Sequence, residues 1–466
     1  MTADAAHPPA VRHVAFDGAR HGTHGLTWSQ LRFRRMMLDH PEGRHIYVPL
    51  HLALPGDLRP GTEETLRCLR AVVVRHDALR TTYGADAAGD PVQTVAGEGS
   101  LPVEIWPVPE TGAAGVHRYL YEGMREKIFT LRARPLRVAL FTEGDTVRRV
   151  ALLFSPITLD DWGLSLVKEE LLVLLRGREG ALTPHPWQPA RQYSWEQGPE
   201  GQRRSEGAMA YWARLLTLPA PPLFPDHHGA APSGSHGFHE TVFESPAVSR
   251  AAREVAGRYR TSVYTVLTAA VLAALSARSG TAHHHFGTYV HNRFAPRSRG
   301  MVGPLSQSVT VGVEAGGKSF EDVIGATARA LLPAYRNAAY DPGALDALRE
   351  RLREETGEPA APRLFLNLTN SRAAPGDPFP GTGDPVEEPM ARSRFRRIAQ
   401  PVPGWTDLYL GIRPHRGYTG FFARGDGRAV TRPTTETLLR SIETLLVAAG
   451  GGRRLTAADL RAIGGS

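Results

Sequence analysis

The stretch that decides the fold class is LRVALFTEGDTVRRVALLFSPITLDDWGLSLVKEELLVLL, at residues 136–175. Its apolar runs at 136–141 and 147–154 are joined by a turn that contains glycine, which predicts a β-hairpin. The second run is too apolar for an exposed edge, so we expect an inner strand. Residues 164–175 repeat leucine and valine at helical spacing, which predicts a helix with one apolar side. The segment SPITLDDWG, at 155–163, therefore connects a buried strand to a helix.

The length of the chain predicts two lobes. A chain of 466 residues exceeds the roughly 250–300 residues at which a single hydrophobic core stops growing. Residues 226–237 replace patterned sequence with Gly, Ser, Pro and Ala, which is typical of a linker. We therefore assign an N-terminal lobe to residues 12–225 and a C-terminal lobe to residues 238–466.

Both lobes mix helices and strands, which indicates the α/β class. In the first lobe, residues 62–75 place apolar side chains at helical spacing. The second lobe opens with a strand at 238–243, followed by a helix that Ser245 caps and that has Pro246 at its first position. A further strand is predicted at 283–293.

The composition is that of a globular protein, with 41% hydrophobic and 22% charged residues. The net charge is +8, and arginine carries nearly all of the positive charge. A basic protein favours acidic partners, of which nucleic acids and acidic carrier proteins are two classes. The densest basic cluster, at 392–397, contains one aromatic residue and has no nucleic-acid-binding motif around it, so we expect no nucleic-acid partner.

Membrane insertion, export and metal binding are not expected. The longest apolar stretch, at 263–275, is shorter than the ~20 residues that span a bilayer, and residues 1–16 do not resemble a signal peptide. Cys68 is the only cysteine, so we expect no internal disulfide and a cytoplasmic protein. We also expect a monomer. The three histidines at 283–285 alternate between the faces of a strand and therefore cannot all bind one ion.

Five motifs follow one another along the chain. They are LTWSQLRFRRMM (26–37), RHDALRTTY (75–83), RQYSWEQ (191–197), FGTYVHNRFAPRSRGMVGPLSQSV (286–309) and LFLNLTN (364–370). In this order, and over nearly the full length of the chain, they resemble the motifs of the condensation domains of nonribosomal peptide synthetases. The first contains the Ser and Gln of that family's opening motif, and the second matches the family almost letter for letter.

The resemblance implies a V-shaped pseudo-dimer of two chloramphenicol-acetyltransferase-like lobes with a central tunnel. Carrier proteins would deliver thioester-bound substrates to the tunnel on their phosphopantetheine arms, and the chain would need no cofactor of its own. The resemblance also implies a floor loop at 286–309 and a latch at 371–394. The residues that it places in the tunnel or floor are Tyr289, Asn292, Gly303 and Gln307.

The active-site turn departs from the family. The motif HHxxxDG is replaced by SPITLDD, from Ser155 to Asp161, and Trp162 follows it as an aromatic residue does in the family. In the family the second histidine orients or deprotonates the attacking amine. Pro156 stands at that position here, and it has no ionisable group.

The two acids of this turn have different expected roles. The resemblance makes Asp160 a structural residue that pairs with Arg293 in the second half of the chain. Asp161 replaces the family's glycine, and the Asp-Asp ending resembles the X domains of glycopeptide synthetases. Those catalytically silent members recruit haem oxygenases to a carrier-bound peptide. They usually keep the first histidine, which is Ser155 here.

Two ionisable residues are candidates to replace the missing base. His291 precedes Asn292-Arg293 on the predicted strand, where alternation places Tyr289, His291 and Arg293 on one face. Asp161 is the other candidate. Ser155 has no evident His and Asp partners, and the GxSxG motif is absent, which excludes a serine hydrolase of that type.

Two functions remain open from the sequence. One is an atypical acyl transfer between carrier-bound substrates, forming an amide or an ester without the usual histidine. The other is a silent docking module, similar to an X domain, that binds a carrier protein or recruits a tailoring enzyme.

Overall fold

The computed structural model describes most of the chain. The described residues are 9–18, 20–39, 47–109, 112, 115–116, 119, 130–133, 135–218, 222–224, 237–357, 362–368, 390–398, 404, 406–415 and 417–464. Contacts divide the chain into two compact units. The first comprises Met1–Arg203 and His291–Gln307, and the second comprises Arg204–Val290 and Ser308–Ser466.

This division differs in detail from the two lobes that we expected. Residues 204–225 belong by contact to the second unit, and His291–Gln307 belong to the first. Most of the expected linker, residues 226–236, lies outside the described residues. So does most of the expected latch, residues 371–389.

The first unit contains two sheets and the helices that cover them. Its strands are β1 (Ala10–Asp17), β2 (Gly22–Gly25), β3 (Val48–Ala53), β4 (Thr81–Ala85), β5 (Pro91–Val95), β6 (Glu98–Pro107), β7 (Leu136–Glu143) and β8 (Thr146–Phe154). Its helices are α1 (Trp28–Asp39), α2 (Thr62–Arg75), α3 (Asp161–Leu175) and α4 (Pro189–Gln197), and α5 (Pro199–Leu216) begins here and ends in the second unit. Short 3₁₀ turns occur at Asp77–Arg80, Glu179–Ala181 and Pro296–Ser298.

The hairpin predicted from the sequence forms the centre of the larger sheet. The strand order is β1-β6-β7-β8-β3, and the smaller sheet has the order β2-β5-β4. Strand β8 pairs antiparallel with both neighbours, so that Phe154 lies opposite Leu136 on one side and opposite Val48 on the other. The predictions of a hairpin, of an inner strand and of a helix at 62–75 are confirmed.

The core of the first unit lies between the larger sheet and the helices α2 and α3. Leu140, Leu152 and Phe154 from the hairpin pack with Val72 of α2 and Leu171 of α3. These side chains are at most 2% exposed. The apolar side of each helix is therefore buried against the sheet, as the helical spacing predicts.

The second unit is built on one mixed sheet. Its strands are β9 (Phe238–Ser245), β10 (His283–Val290), β11 (Gln307–Glu314), β12 (Leu364–Leu368), β13 (Arg394–Ile398), β14 (Leu408–His415) and β15 (Tyr418–Asp426), in the order β11-β10-β12-β14-β15-β9-β13. Its helices are α6 (Pro246–Arg258), α7 (Val263–Ser279), α8 (Phe320–Arg336), α9 (Pro342–Thr356), α10 (Arg432–Gly450) and α11 (Ala457–Gly464). Ser245 caps α6 by accepting a hydrogen bond from the amide of Val248, and Pro246 occupies the first helical position, which confirms the predicted start.

The helix α7 is buried along most of its length in the core of the second unit. Among the described residues, no single helix is long and apolar enough to cross a membrane. Helices α6 and α7 are long and apolar enough for a membrane span only when they are taken together, and the two helices are bent by 107° at their junction.

The predicted strand at 283–293 ends early. Strand β10 stops at Val290, and Asn292 has a φ of 54°, in the left-handed region. Asparagine tolerates this conformation better than most residues, and an extended strand cannot pass through it. The expected alternation of Tyr289, His291 and Arg293 on one strand face is therefore wrong.

Candidate functional site

The turn that follows β8 is held by backbone hydrogen bonds. The amide of Ser155 donates to the carbonyl of Pro135 at 3.0 Å, and the amide of Thr158 donates to the carbonyl of Ser155 at 2.9 Å. Pro156 occupies the second position of this β-turn, which its fixed φ favours. The Tyr83 hydroxyl, from the RHDALRTTY motif, donates to the carbonyl of Ile157 at 3.1 Å.

Residues 155–160 are all buried. The Ser155 hydroxyl makes a weak contact with the Met37 sulfur at 3.7 Å. Pro156 carries no group that can accept a proton, and the turn directly follows the inner strand β8.

Asp160 is the most highly connected residue of the turn. It caps α3, since its Oδ1 accepts a hydrogen bond from the amide of Gly163 at 3.0 Å. The Arg293 guanidinium donates to both carboxylate oxygens, at 2.7 and 2.8 Å. Oδ2 also accepts the amides of Leu305 and Ser306 and the Ser306 hydroxyl, at 3.0, 3.1 and 2.8 Å. The structure thus brings Asp160 and Arg293 together and adds contacts that the sequence did not indicate.

These contacts keep the Asp160 carboxyl ionised. Its side chain is only 6% exposed, and burial by itself raises the pKa of a carboxyl group. The Arg293 charge and hydrogen bonds, with the amides of Gly163 and Leu305, outweigh burial and hold the pKa of Asp160 below its ordinary value of 3.8. A carboxylate with this many donors cannot serve as a general base, because protonation would break its bonds to Arg293.

The lowered pKa of Asp160 predicts a loss of stability in acid. A carboxyl whose pKa is lower in the folded state stabilises that state above the unfolded pKa, and this contribution disappears as the pH falls through the folded pKa. We expect the free energy of unfolding, measured by urea denaturation, to decrease as the pH falls below about 3.8. Asp160→Asn should remove this part of the decrease. The part due to Glu170, whose pKa is also lowered, should remain.

Arg293 fastens the segment 291–307 to the turn. It is 2% exposed, and besides Asp160 its guanidinium donates to the carbonyls of Gly303 at 2.7 Å and His291 at 3.2 Å. The side-chain amide of Asn292 donates a hydrogen bond from Nδ2 to the carbonyl of Leu305 at 3.0 Å. The segment therefore forms a closed loop over α3, with Arg293 and Asp160 at its centre.

Residues near the N-terminus also hold this loop. The Ser29 hydroxyl, in the opening motif, donates to the carbonyl of Ser306 at 2.8 Å. Thr27 and Gln30 form a reciprocal capping box at the start of α1, with the Thr27 amide bonded to the Gln30 side chain at 2.9 Å and the Gln30 amide bonded to the Thr27 hydroxyl at 3.2 Å. Analysis of the sequence missed Ser306, and its backbone and hydroxyl contacts carry no signal in the sequence.

A second buried ion pair connects α2 with α3. His76 Nε2 lies 2.7 Å from Glu170 Oε2, and Arg75 Nε donates to the same oxygen at 2.9 Å. Burial tends to raise the pKa of Glu170, but His76 and Arg75 together lower it. The first residues of the RHDALRTTY motif therefore hold the helix that begins at the active-site turn.

His291 packs beside this turn. Its ring is stacked on Trp162, with centroids 4.9 Å apart and planes inclined by 25°. The amide of Arg293 donates to His291 Nδ1 at 3.0 Å. Burial, followed by the charge of Arg293, lowers the pKa of His291, and Asp160 opposes this shift. The imidazole is therefore neutral near pH 7, with its proton on Nε2.

The other expected site residues lie in separate places. Asp161 is exposed at the first position of α3, where a negative charge interacts favourably with the helix dipole. Tyr289 packs on Phe365 within the second unit, with ring centroids 4.7 Å apart. Gln307 is buried at the start of β11.

No cluster of three His, Cys, Asp or Glu side chains suitable for a metal ion occurs among the described residues. Of the three consecutive histidines, His284 is buried and its Nε2 lies 2.8 Å from the Ser276 hydroxyl. Burial lowers the pKa of His284 to about 4. This histidine therefore has a structural hydrogen bond in the second unit.

The comparison with family models decides the family. The condensation domain model matches residues 21–365. The chain belongs to the condensation domain family. The resemblance that the motifs indicated is thus confirmed over most of the chain.

The curated relatives are peptide synthetases that are several times longer than the stretch they share with this chain. Phosphinothricin tripeptide synthetase PhsC of Streptomyces viridochromogenes is 26% identical over 279 residues, covering 57% of this chain and 26% of the relative. Bacitracin synthase 1 of Bacillus licheniformis is 24% identical over 333 residues, covering 68% of this chain and 6% of the relative. The chain spans about a quarter or less of the length of these relatives.

Solved structures show the same fold. The first condensation domain of the calcium-dependent antibiotic synthetase, in complex with a substrate analogue, has a TM-score of 0.67 at 18% identity and covers 95% of this chain and 99% of its own. The X-domain from teicoplanin biosynthesis also has a TM-score of 0.67 at 18% identity, with coverages of 93% and 96%. The α/β, chloramphenicol-acetyltransferase-like fold is therefore confirmed.

Proposed function

We propose that this chain is a carrier-binding module of nonribosomal peptide biosynthesis that holds a thioester-bound intermediate without supplying a general base. One observation carries the proposal: the buried residues 155–160 keep their structural contacts, and none of their side chains can act as a general base. Pro156 replaces the histidine, and both oxygens of Asp160 are occupied by Arg293 and its neighbours.

The candidate replacement bases do not alter this conclusion. The acceptor nitrogen of His291, Nδ1, is already bonded to the amide of Arg293. Asp161 is the exposed first residue of α3 and lies outside the buried stretch 155–160. General-base assistance contributes typically ~10²–10⁴-fold to a reaction rate, and this chain would lack that contribution.

The partners follow from the family and from one neighbour. Synthetase condensation domains act with carrier proteins and their phosphopantetheine arms, and we propose an acidic carrier protein as the partner of this basic chain. The X-domain from teicoplanin biosynthesis has been solved in complex with OxyB. By analogy, this chain would present a carrier-bound intermediate to a tailoring enzyme.

A second candidate is acyl transfer by positioning alone. It is favoured by the complete network around Asp160 and Arg293, which preserves the shape of the turn. Aminolysis of a thioester by a neutral amine needs little help from a base. Holding two tethered reactants together can by itself contribute several of the ~7–11 kcal/mol available from proximity.

Intact-mass analysis of carrier-bound substrates separates the two candidates. Aminoacyl-loaded donor and acceptor carrier domains are incubated with and without the chain, and binding is measured in parallel. We expect binding without an amide or ester product above the protein-free rate. A product formed at a rate that depends on the chain would establish acyl transfer, whereas a lack of binding would overturn carrier recognition altogether.

Pro156→His gives a matched test in the same assay. The variant restores one imidazole of the family's motif, but the imidazole lacks the neighbours that orient it, because Ser155 and Asp161 have also diverged. We expect binding to be retained and no condensation product to appear. A gain of product would show that the rest of the catalytic arrangement is intact, and would favour the second candidate.

A further inference from the structure

The orientation of the His291 ring is fixed from several directions. Trp162 covers one face of the ring, and the ring centroid of Phe294 lies 5.2 Å away. Trp162 is itself held by a hydrogen bond from its Nε1 to the carbonyl of Arg299 at 2.9 Å. The positive φ of Asn292 turns the amide of Arg293 back onto Nδ1. The imidazole therefore has one position and one tautomer.

This tautomer makes Nε2 a donor. A neutral imidazole has one N–H and one acceptor nitrogen, and the acceptor here is Nδ1. A proton on Nδ1 would face the N–H of Arg293. Protonation of both nitrogens would also add a charge beside the Arg293 guanidinium, which only Asp160 opposes among the charges that act on the ring. Among the residues that the structure describes, none accepts a hydrogen bond from Nε2, and the side chain is only half-buried.

We propose that His291 binds the carrier-bound intermediate by donating a hydrogen bond from Nε2 to the carbonyl oxygen of its thioester. The inference rests on the proposed function and names a residue that contacts the bound intermediate. A thioester carbonyl accepts hydrogen bonds and cannot donate them, so it complements a fixed N–H donor. His291 thereby positions the acyl group, and it does not remove a proton from an amine.

Two substitutions of His291 distinguish the role of Nδ1 from the role of Nε2. Asparagine at this position has a side-chain oxygen that can accept a hydrogen bond from the amide of Arg293, as in an Asx turn. It has no donor at the position of Nε2. Glutamine is longer and places an amide N–H near the position of Nε2. His291→Asn should therefore keep the fold and lose the ligand contact, whereas His291→Gln should restore the contact.

Binding is measured with a carrier domain that bears an acetyl thioester on its phosphopantetheine arm. The control carrier bears an ethyl thioether, which lacks the carbonyl. We expect His291→Asn to weaken binding of the thioester form about five- to tenfold, the value of one net hydrogen bond. Binding of the thioether form should not change, and His291→Gln should recover most of the lost affinity. Equal affinity of His291→Asn and the unaltered chain for the thioester would overturn the proposal.

The tautomer is measured without any ligand. In ¹⁵N spectra of the histidine-labelled chain at pH 7, we expect His291 to carry its proton on Nε2, and the assignment is made by loss of its signals in His291→Asn. A proton on Nδ1, or a charged ring, would overturn the inference while leaving carrier binding unaffected. If the unaltered chain binds neither carrier, the proposed function fails, and the ligand assigned to His291 fails with it.

Discussion

Asp160→Asn should destabilise the first unit by about 3–5 kcal/mol, because it leaves the buried Arg293 guanidinium without its counter-charge. Arg293 is 2% exposed and cannot reach water without opening the segment 291–307. The asparagine side chain would also direct an N–H₂ group at donors of Arg293 or Ser306. Urea denaturation at pH 7 measures the loss, and hydrogen exchange at the amides of Leu305 and Ser306 locates it.

The control for this substitution is Glu350→Gln. Glu350 also pairs with an arginine, Arg353, but on the exposed surface of α9, where solvent screens the interaction. Its replacement should leave the denaturation curve nearly unchanged. An Asp160→Asn variant as stable as this control would show that the pair of Asp160 and Arg293 does not hold the segment 291–307.

Phe154→Ala is expected to cost about 3–5 kcal/mol as well, through a different mechanism. Phe154 is the last residue of β8, is fully buried and packs in the core between the sheet and α3. Removing its ring leaves a cavity directly before the active-site turn. We expect faster hydrogen exchange in β7 and β8, and at Ser155 and Thr158, whose amides hold the turn.

Phe154→Leu provides the comparison, because it keeps most of the buried apolar volume. Its loss of stability should be clearly smaller than that of the alanine variant. If both variants exchange like the unaltered chain, the turn does not depend on the packing of β8. The rigid placement of Pro156 would then need another cause.

The two substitutions test the site from opposite sides. Phe154→Ala removes apolar packing from the strand that precedes the turn, and Asp160→Asn changes the hydrogen bonds between the turn and the segment 291–307. Both are separate from the binding assays, which concern His291 and Pro156. A variant that loses stability but keeps carrier binding would therefore be a structural one.

Local pattern was enough to predict the elements that carry the site. The hairpin at 136–154, the helix at 62–75 and the capped start of α6 are all confirmed, because each depends on neighbours within a few residues. The alternation of apolar residues, the turn glycine and the capping serine express those local preferences directly. The motif order also placed Ser155, Pro156 and Asp160 in the turn after an inner strand.

The strand at 283–293 shows where local pattern fails. The last apolar residue of this stretch is Val290, where β10 ends, and a positive φ at Asn292 keeps the strand from continuing to Arg293. Asparagine is compatible with both conformations, so the sequence does not distinguish them. With Asn292 in this conformation, the amide of Arg293 donates a hydrogen bond to His291 Nδ1, so this nitrogen is not available as a base.

By itself, the sequence determined the family, the α/β class and the place of Pro156 after an inner strand, since these follow from residue identities and short-range spacing. Only the tertiary structure decided which groups donate hydrogen bonds to the Asp160 carboxylate and which nitrogen of His291 holds its proton. Most donors to Asp160 come from Arg293, Leu305 and Ser306, which are 133–146 residues away along the chain. Hydrogen bonds between such distant residues depend on how the backbone folds in space, and no spacing in the sequence specifies them.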